Sequence, residues 1–274
     1  MTSQIPSDSS PKKSGFVQNI WDVGMILSLV ILALSIQNGN FGRTNTTSPL
    51  TPVNTSEVID NPRQFMGQSI TIRSKLIRQV SLNSFTVREG NFSNKDPMLV
   101  INASGVPFNF PSDRNVEVQV IGQVRDFSIP ELERDYRLNL NPQQYSGYVN
   151  KPVIVAQSIT LAPTPGQVSQ NPQQYYGKTI TVTGGIKNIQ SPVLMTLDKG
   201  QLLGGRDLPV LLTSSSAKVA INKGQSVAVV GEVRPFVASD IQRRYNLLWD
   251  AGVQQQLTAQ YGNKPVLVAD AVYP

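Results

Sequence analysis

The side chains of this sequence that could do chemistry are arginines, lysines, carboxylates and tyrosines, because its 274 residues include no Cys and no His. That composition excludes disulfides, zinc–thiolate sites, iron–sulfur clusters, thiol nucleophiles and the usual imidazole base. One polar set stands out because it occurs twice. Arg125, Glu131, Arg134, Tyr136 and Asn150-Lys151 in the first half are matched by Arg234, Asp240, Arg243, Tyr245 and Asn263-Lys264 in the second. As chemistry, Arg125, Arg134, Tyr136, Lys151, Arg234, Arg243, Tyr245 and Lys264 form a candidate binding patch for an anionic group, since guanidinium, ammonium and phenol are all donors.

Other constellations are weaker. Glu131, Glu133 and Asp135 alternate in a way that could suggest Ca²⁺, but they lack a glycine-turned calcium loop. The second half puts Asp240, Gln242 and Arg244 at those places. Gly184-Gly185 and Gly204-Gly205 do not open helices as phosphate loops do, and no Gly-x-Ser-x-Gly elbow is present. The expectation is a protein that is not an enzyme and uses no cofactor.

The elements that must carry these residues come from an internal duplication. NPRQFMGQSITI at 61–72 matches NPQQYYGKTITV at 171–182 with six identities in twelve. NVEVQVIGQVRDFSIPELERDYRLNL at 115–140 matches GQSVAVVGEVRPFVASDIQRRYNLLW at 224–249 with nine in twenty-six, and NKPVIVA at 150–156 matches NKPVLVA at 263–269 with six in seven. The offsets are 110, 109 and 113, so order and spacing persist over a whole domain.

Each copy reads as five strands. A long alternating strand at 69–80 or 179–189 comes after an Asn-Pro turn. Shorter strands lie at 84–90 and 97–102, or 193–200 and 208–213. A fourth, VEVQVIGQVRDF or QSVAVVGEVRPF, contains Gly122 or Gly231 at the same point, where a strongly coiled strand favours glycine. A polar helical stretch comes next (131–138, 240–248), then the last strand, KPVIVAQSI or KPVLVADAV. Strands of this length with internal glycines point to small closed barrels.

The run G-K-T-I-T-V-T-G, T-L-D-K-G and V-A-V-V-G-E-V-R (177–184, 196–200 and 227–234) resembles OB-fold domains of the anticodon-binding-like class. It is especially similar to uncharacterised bacterial membrane-anchored proteins carrying such domains. The resemblance covers 58–161 and 169–273 and implies mainly β architecture, two tandem five-stranded OB-like barrels. In a typical OB-fold the helix lies between strands three and four, whereas here it comes after strand four.

Ahead of the duplication, Ile20 to Ile36 is apolar apart from Asp22 and a few small or hydroxyl residues, and Lys12 and Lys13 precede it. About 25 Å of helix spans a bilayer at the short end, and the lysines before it direct the C-terminal part of the chain outward. Ala33-Leu34-Ser35 also allows cleavage as a signal peptide. The expected organisation is a cytoplasmic tail (1–19), a transmembrane signal anchor (20–37), a flexible linker (38–57), domain 1 (58–161), a linker (162–168) and domain 2 (169–274). The localisation expected from this order is a bacterial inner or thylakoid membrane with both domains on the periplasmic or lumenal side.

The net charge of +6 is uneven: residues 164–274 hold ten basic and six acidic groups, against eleven and ten in 56–163. Aromatics that could stack nucleic-acid bases (Phe85, Phe92, Phe108, Phe110) lie in the other, less basic half, with Arg73, Arg78 and Arg88. Charge and stacking faces are thus separated, which disfavours nucleic acid. The expected partners are the membrane and other periplasmic or lumenal proteins, with binding of single-stranded nucleic acid or another polyanion by the basic second half as the alternative. For the duplicated polar set the expectation is service to the fold. The acidic group starts the helix and pairs with the arginine, and the tyrosine covers the barrel's open end with its hydroxyl in water.

Overall fold

The computed structural model describes residues 53–90, 96–111, 115–200, 206–213 and 220–273. The expected transmembrane segment 20–37 and Phe92 lie outside the described residues. Among the described residues no helix is long and apolar enough to cross a membrane.

Among the described residues ten strands make the architecture mainly β. In the first half they are β1 (Ser69–Ser81), β2 (Ser84–Arg88), β3 (Met98–Asn102), β4 (Glu117–Asp126) and β5 (Pro152–Ala162). β1 pairs antiparallel with β2 and β4, β2 with β3 and β4 with β5, and a parallel β3–β5 pair closes the ring into a five-strand barrel. The second-half strands are β6 (Thr179–Ser191), β7 (Leu194–Leu197), β8 (Leu208–Leu212), β9 (Ser226–Pro235) and β10 (Pro265–Tyr273). Their pairings run through the same cycle, with β8–β10 as the parallel pair.

Alternation explains the interior. Ile70, Ile72 and Leu76 of β1, Val118, Val120 and Val124 of β4, and Ile154 and Ala156 of β5 turn inward and are buried. The strands of the parallel pairs read MLVIN, LPVLL, PVIVA and PVLVA, without alternation, because they are covered on both faces. Their outward residues build a second, smaller core outside the wall: Leu99, Ile101, Val153 and Val155 with Phe127 and Leu132, and in the second half Leu211, Val266 and Val268 with Phe236 and Ile241.

The helices after strand four supply that cover. The first half has α2 (Ile129–Tyr136) and the second α4 (Ala238–Tyr245), each ended by a left-handed residue, Arg137 or Asn246. The second half adds α5 (Ala251–Tyr261), started by the Asp250 carboxylate accepting from the Val253 N–H at 2.8 Å. Tyr136 and Tyr245 therefore pack into this outer core instead of across an open barrel end. The turn after strand four folds the chain back along the wall, where apolar β3, β5, β8 and β10 residues await cover.

Helices form where the expected linkers meet the expected domains. α1 (Thr55–Asp60) buries Val58, and α3 (Pro165–Gln170) buries Val168, both within the interior core. Thr164 starts α3 with a capping box: its hydroxyl accepts from the Gln167 N–H at 3.2 Å while the Gln167 side chain accepts from the Thr164 N–H at 2.8 Å. The junction is correspondingly tight. β5 reaches Ala162, Leu161 pairs with Ile180 in parallel, and the Thr160 and Thr181 hydroxyls are 2.9 Å apart. The described residues fall within one compact unit.

Gly122 and Gly231 occupy equivalent places. Opposite them the partner strand bulges, at Gln157 in β5 and Asp270 in β10. A Cβ on Gly122 would press into the Val155 carbonyl oxygen and lie 2.9 Å from the Ala156 Cα; on Gly231 it would meet the Val268 carbonyl, its carbon at 2.8 Å. Only glycine lets these strands cross so closely.

Candidate functional site

The duplicated polar set gathers where strand four gives way to its helix, and the two halves resolve it differently. In the first half Arg125 donates to the Asp135 carboxylate at 3.1 Å and to the Tyr136 hydroxyl at 3.2 Å, with its guanidinium 5.8 Å from the Tyr136 ring centroid. Arg134 donates to the same carboxylate at 2.9 Å. The arginine's acidic partner is thus Asp135 on the exposed side of α2, in place of the expected Glu131, because a residue one turn further along the helix points back over the strand end. Hydrogen bonds from Arg134 and then Arg125 hold the Asp135 carboxyl below the usual range, and the Tyr136 hydroxyl, with Asp135 as the lesser cause, pushes the Arg125 guanidinium up.

In the second half Arg234 turns to its own strand and donates to Glu232 at 3.0 Å, while Arg243 donates to Asp240 at 2.9 Å, an i,i+3 pair that does match the expected acidic partner. Arg244 stands where the first half has Asp135. Around Tyr245 a pocket of about 310 Å³ remains, lined by Arg234, Pro235, Val237, Asp240, Ile241, Arg243, Arg244 and Tyr245. Burial raises the Tyr245 phenol above its ordinary value, and its oxygen lies beside Arg234, buried and with no hydrogen-bond partner.

The Asn-Lys pairs have a backbone reason. Asn150 and Asn263 take left-handed conformations, φ 60° and 59°, which asparagine tolerates better than most residues. The carbonyl of the next residue, Lys151 or Lys264, then accepts from the Phe127 or Phe236 N–H at 2.9 or 2.8 Å. Their side chains do not join the arginine cluster. Lys151 is exposed, and the Lys264 ammonium donates to the Gln260 carbonyl.

Lys264 belongs to a larger concavity, about 630 Å³, on the outer wall of the second half. Strand β6 contributes Lys187, Asn188 and Gln190, β7 Thr196 and β8 Pro209, with Arg206 and Asp207 ahead of β8. Ser169 and Gln170 come from α3, and Gln260, Tyr261, Lys264 and Pro265 from the end of α5 and the start of β10. Lys187 pairs with Asp207 at 2.8 Å, which pushes its ammonium up. Gln190 and Gln260 both donate to the Tyr261 hydroxyl, and the ring packs on Phe236 at 5.7 Å between centroids. In the first half Tyr145 takes the comparable place, packing on Phe127 at 5.4 Å with its hydroxyl 2.8 Å from those of Ser81 and Ser84.

The groove's lining is missed by sequence reasoning, since Lys187, Arg206 and Lys264 are spread over 78 residues and only the closing of the β6–β10 ring collects them. The Arg244-for-Asp135 exchange, by contrast, is visible in the aligned copies.

Among the described residues, the first-half aromatics named for stacking are engaged with one another. Phe85 is buried, and Phe108 and Phe110 pack against it and each other with centroids 5.4–5.9 Å apart. Arg73 is held by Glu117 at 2.7 Å and by the Ala162 carbonyl at 2.8 Å, and Arg78 donates to the Tyr148 hydroxyl at 3.1 Å. Glu133 accepts from the Leu140 N–H at 2.8 Å. Among the described residues no group of three or more His, Cys, Asp or Glu is placed to hold a metal ion.

The fold is mainly β with a closed five-strand barrel and further strands, compatible with an OB-like fold. No protein-family model matches the sequence, and no curated protein matches it.

Proposed function

We propose that the protein is a non-enzymatic binding or assembly module built on two tandem OB-like barrels. Residues 20–37 anchor it to a bacterial inner or thylakoid membrane, and the barrels stand on the periplasmic or lumenal side. The observation that carries the binding role is the 630 Å³ groove on the second half. Its size falls within the range of ligand sites, and strands β6, β7, β8 and β10 contribute to its walls. Amides, hydroxyls and a few charges line it, which suits an extended polar ligand held by hydrogen bonds. A photo-crosslinking amino acid at Asn188 in the intact chain, irradiated in native membranes, should trap a discrete partner. An Asn188 crosslinker that traps nothing distinct from the same label at Glu57 would defeat the reading.

The second reading, polyanion binding, is favoured by three cations against one carboxylate in the same groove: Lys187, Arg206 and Lys264 against Asp207. It expects an affinity for anionic glycans or oligonucleotides that falls steeply with salt and drops further on Lys264→Glu. A salt-independent affinity would leave the first reading alone.

A further inference from the structure

We propose that the 310 Å³ pocket under α4 is a carboxylate-binding site, and that the first half has filled its own copy of that site with Asp135. This does not rest on the wall groove, with which the pocket shares no residue. The duplication provides the internal comparison. In the first half two guanidiniums, Arg125 and Arg134, converge on the Asp135 carboxylate at 3.1 and 2.9 Å, and the Tyr136 hydroxyl completes the cluster at 3.2 Å from Arg125. The second half keeps both arginines and the tyrosine, as Arg234, Arg243 and Tyr245, and replaces the carboxylate by Arg244. What was the anion's place now has a third cation at its edge and open volume beside it.

Charge and hydrogen bonding point the same way. Three guanidiniums, Arg234, Arg243 and Arg244, line the pocket with the Asp240 carboxylate, whereas in the first half the Asp135 carboxylate lies between Arg125 and Arg134. The Tyr245 hydroxyl is buried with no acceptor for its proton, an omission that costs free energy until something supplies one. A carboxylate entering from outside would accept from that hydroxyl and from the arginines on the pocket wall, reproducing the first-half cluster between two molecules. The ligand class is therefore a compact carboxylate, free or carried on an acidic side chain.

The test is calorimetric titration of the full chain in mild detergent with succinate, and separately with inorganic phosphate, against sodium chloride at equal ionic strength. Succinate should bind saturably at one site and more tightly than phosphate. Arg244→Asp restores the first-half arrangement and should weaken succinate at least about tenfold, the loss of one charge-assisted hydrogen bond, without lowering the urea midpoint. Tyr245→Phe, which removes one oxygen and no packing, should weaken it about threefold or more and serves if the first variant does not fold. No saturable heat beyond chloride, phosphate binding more tightly than succinate, or an affinity indifferent to both substitutions would overturn the assignment.

Discussion

Tyr136 and Tyr245 occupy the same place on α2 and α4, yet the first hydroxyl accepts from Arg125 at 3.2 Å and the second is buried beside Arg234 with no acceptor for its proton. Both rings serve the outer core, so Tyr245→Ala should cost roughly 2 kcal/mol, below the range for a fully buried aromatic because this ring is half-buried. Tyr245→Phe should be neutral or slightly stabilising, since it removes an unsatisfied polar atom and leaves the packing. Urea midpoints check both. An Ala variant as stable as the parent would mean that the ring is held for a ligand and not for the fold. Asp135 gives a pH signature. Its folded carboxyl titrates below the ordinary value, so its contribution is fully present above the unfolded pKa of about 4 and is lost as pH falls through the folded value. Asp135→Asn should therefore be less stable than the parent at pH 7, and the gap should close on acidification below about pH 4. A gap constant from about pH 7 to about pH 3 would show that the pairing with Arg125 and Arg134 contributes nothing.

At the scale of elements, the short helices ahead of β1 and β6 matter more than their length suggests. α3 fixes Val168 in the interior and is itself fixed by the Thr164–Gln167 capping box. Val168→Ala should cost about 2 kcal/mol through lost packing and Thr164→Ala about 1 kcal/mol through the lost cap. Strand crossings set a second limit. Gly231→Ala drives a methyl into the Val268 carbonyl at the β9–β10 bulge, and relief requires the strands to separate. The expected cost is about 1–3 kcal/mol, or more if the ring opens there. Equal thermal midpoints for Gly231→Ala and the parent would show that the crossing is looser than its geometry. The strands themselves were legible because alternation in β1, β4, β6 and β9 and unbroken apolar runs in β3, β5, β8 and β10 each have one physical reading, half-covered or covered on both faces. α3 is hard to read from composition because Pro, Gly, Ser and Gln dominate 162–170, although T-P-G-Q already spells a capping box.

For the molecule as a whole, the junction decides how the halves can be separated. Because α3 packs on β6 and β8 while Leu161 and Thr160 of β5 meet Ile180 and Thr181 of β6, the Pro165–Gln170 helix goes with the second-half strands. A fragment starting at residue 164 should fold, and one starting at 171 should be markedly less stable or unfolded by circular dichroism. Equal stability would make α3 dispensable. On orientation, protease added to intact spheroplasts should trim the full chain to a short membrane stub. Protection of residues 53–273 would sink the proposed topology, and a soluble product beginning near Ile36 would turn the anchor into a cleaved signal.

By itself the sequence determined the repeat, the succession of strands along the chain and the glycines at strand four, because periodicity and steric permission are local properties that survive duplication. It also determined which residues recur between the copies. Only the tertiary structure decided what those residues meet. Whether Arg125 finds Glu131 or Asp135 depends on which turn of α2 faces the strand end, and whether Lys187 and Lys264 share a groove depends on the ring of pairings that brings β6 beside β10's first residues. Such contacts join positions far apart in the chain, and one exchanged residue, Arg244 for Asp135, turns a closed ion cluster into an open pocket on the same backbone.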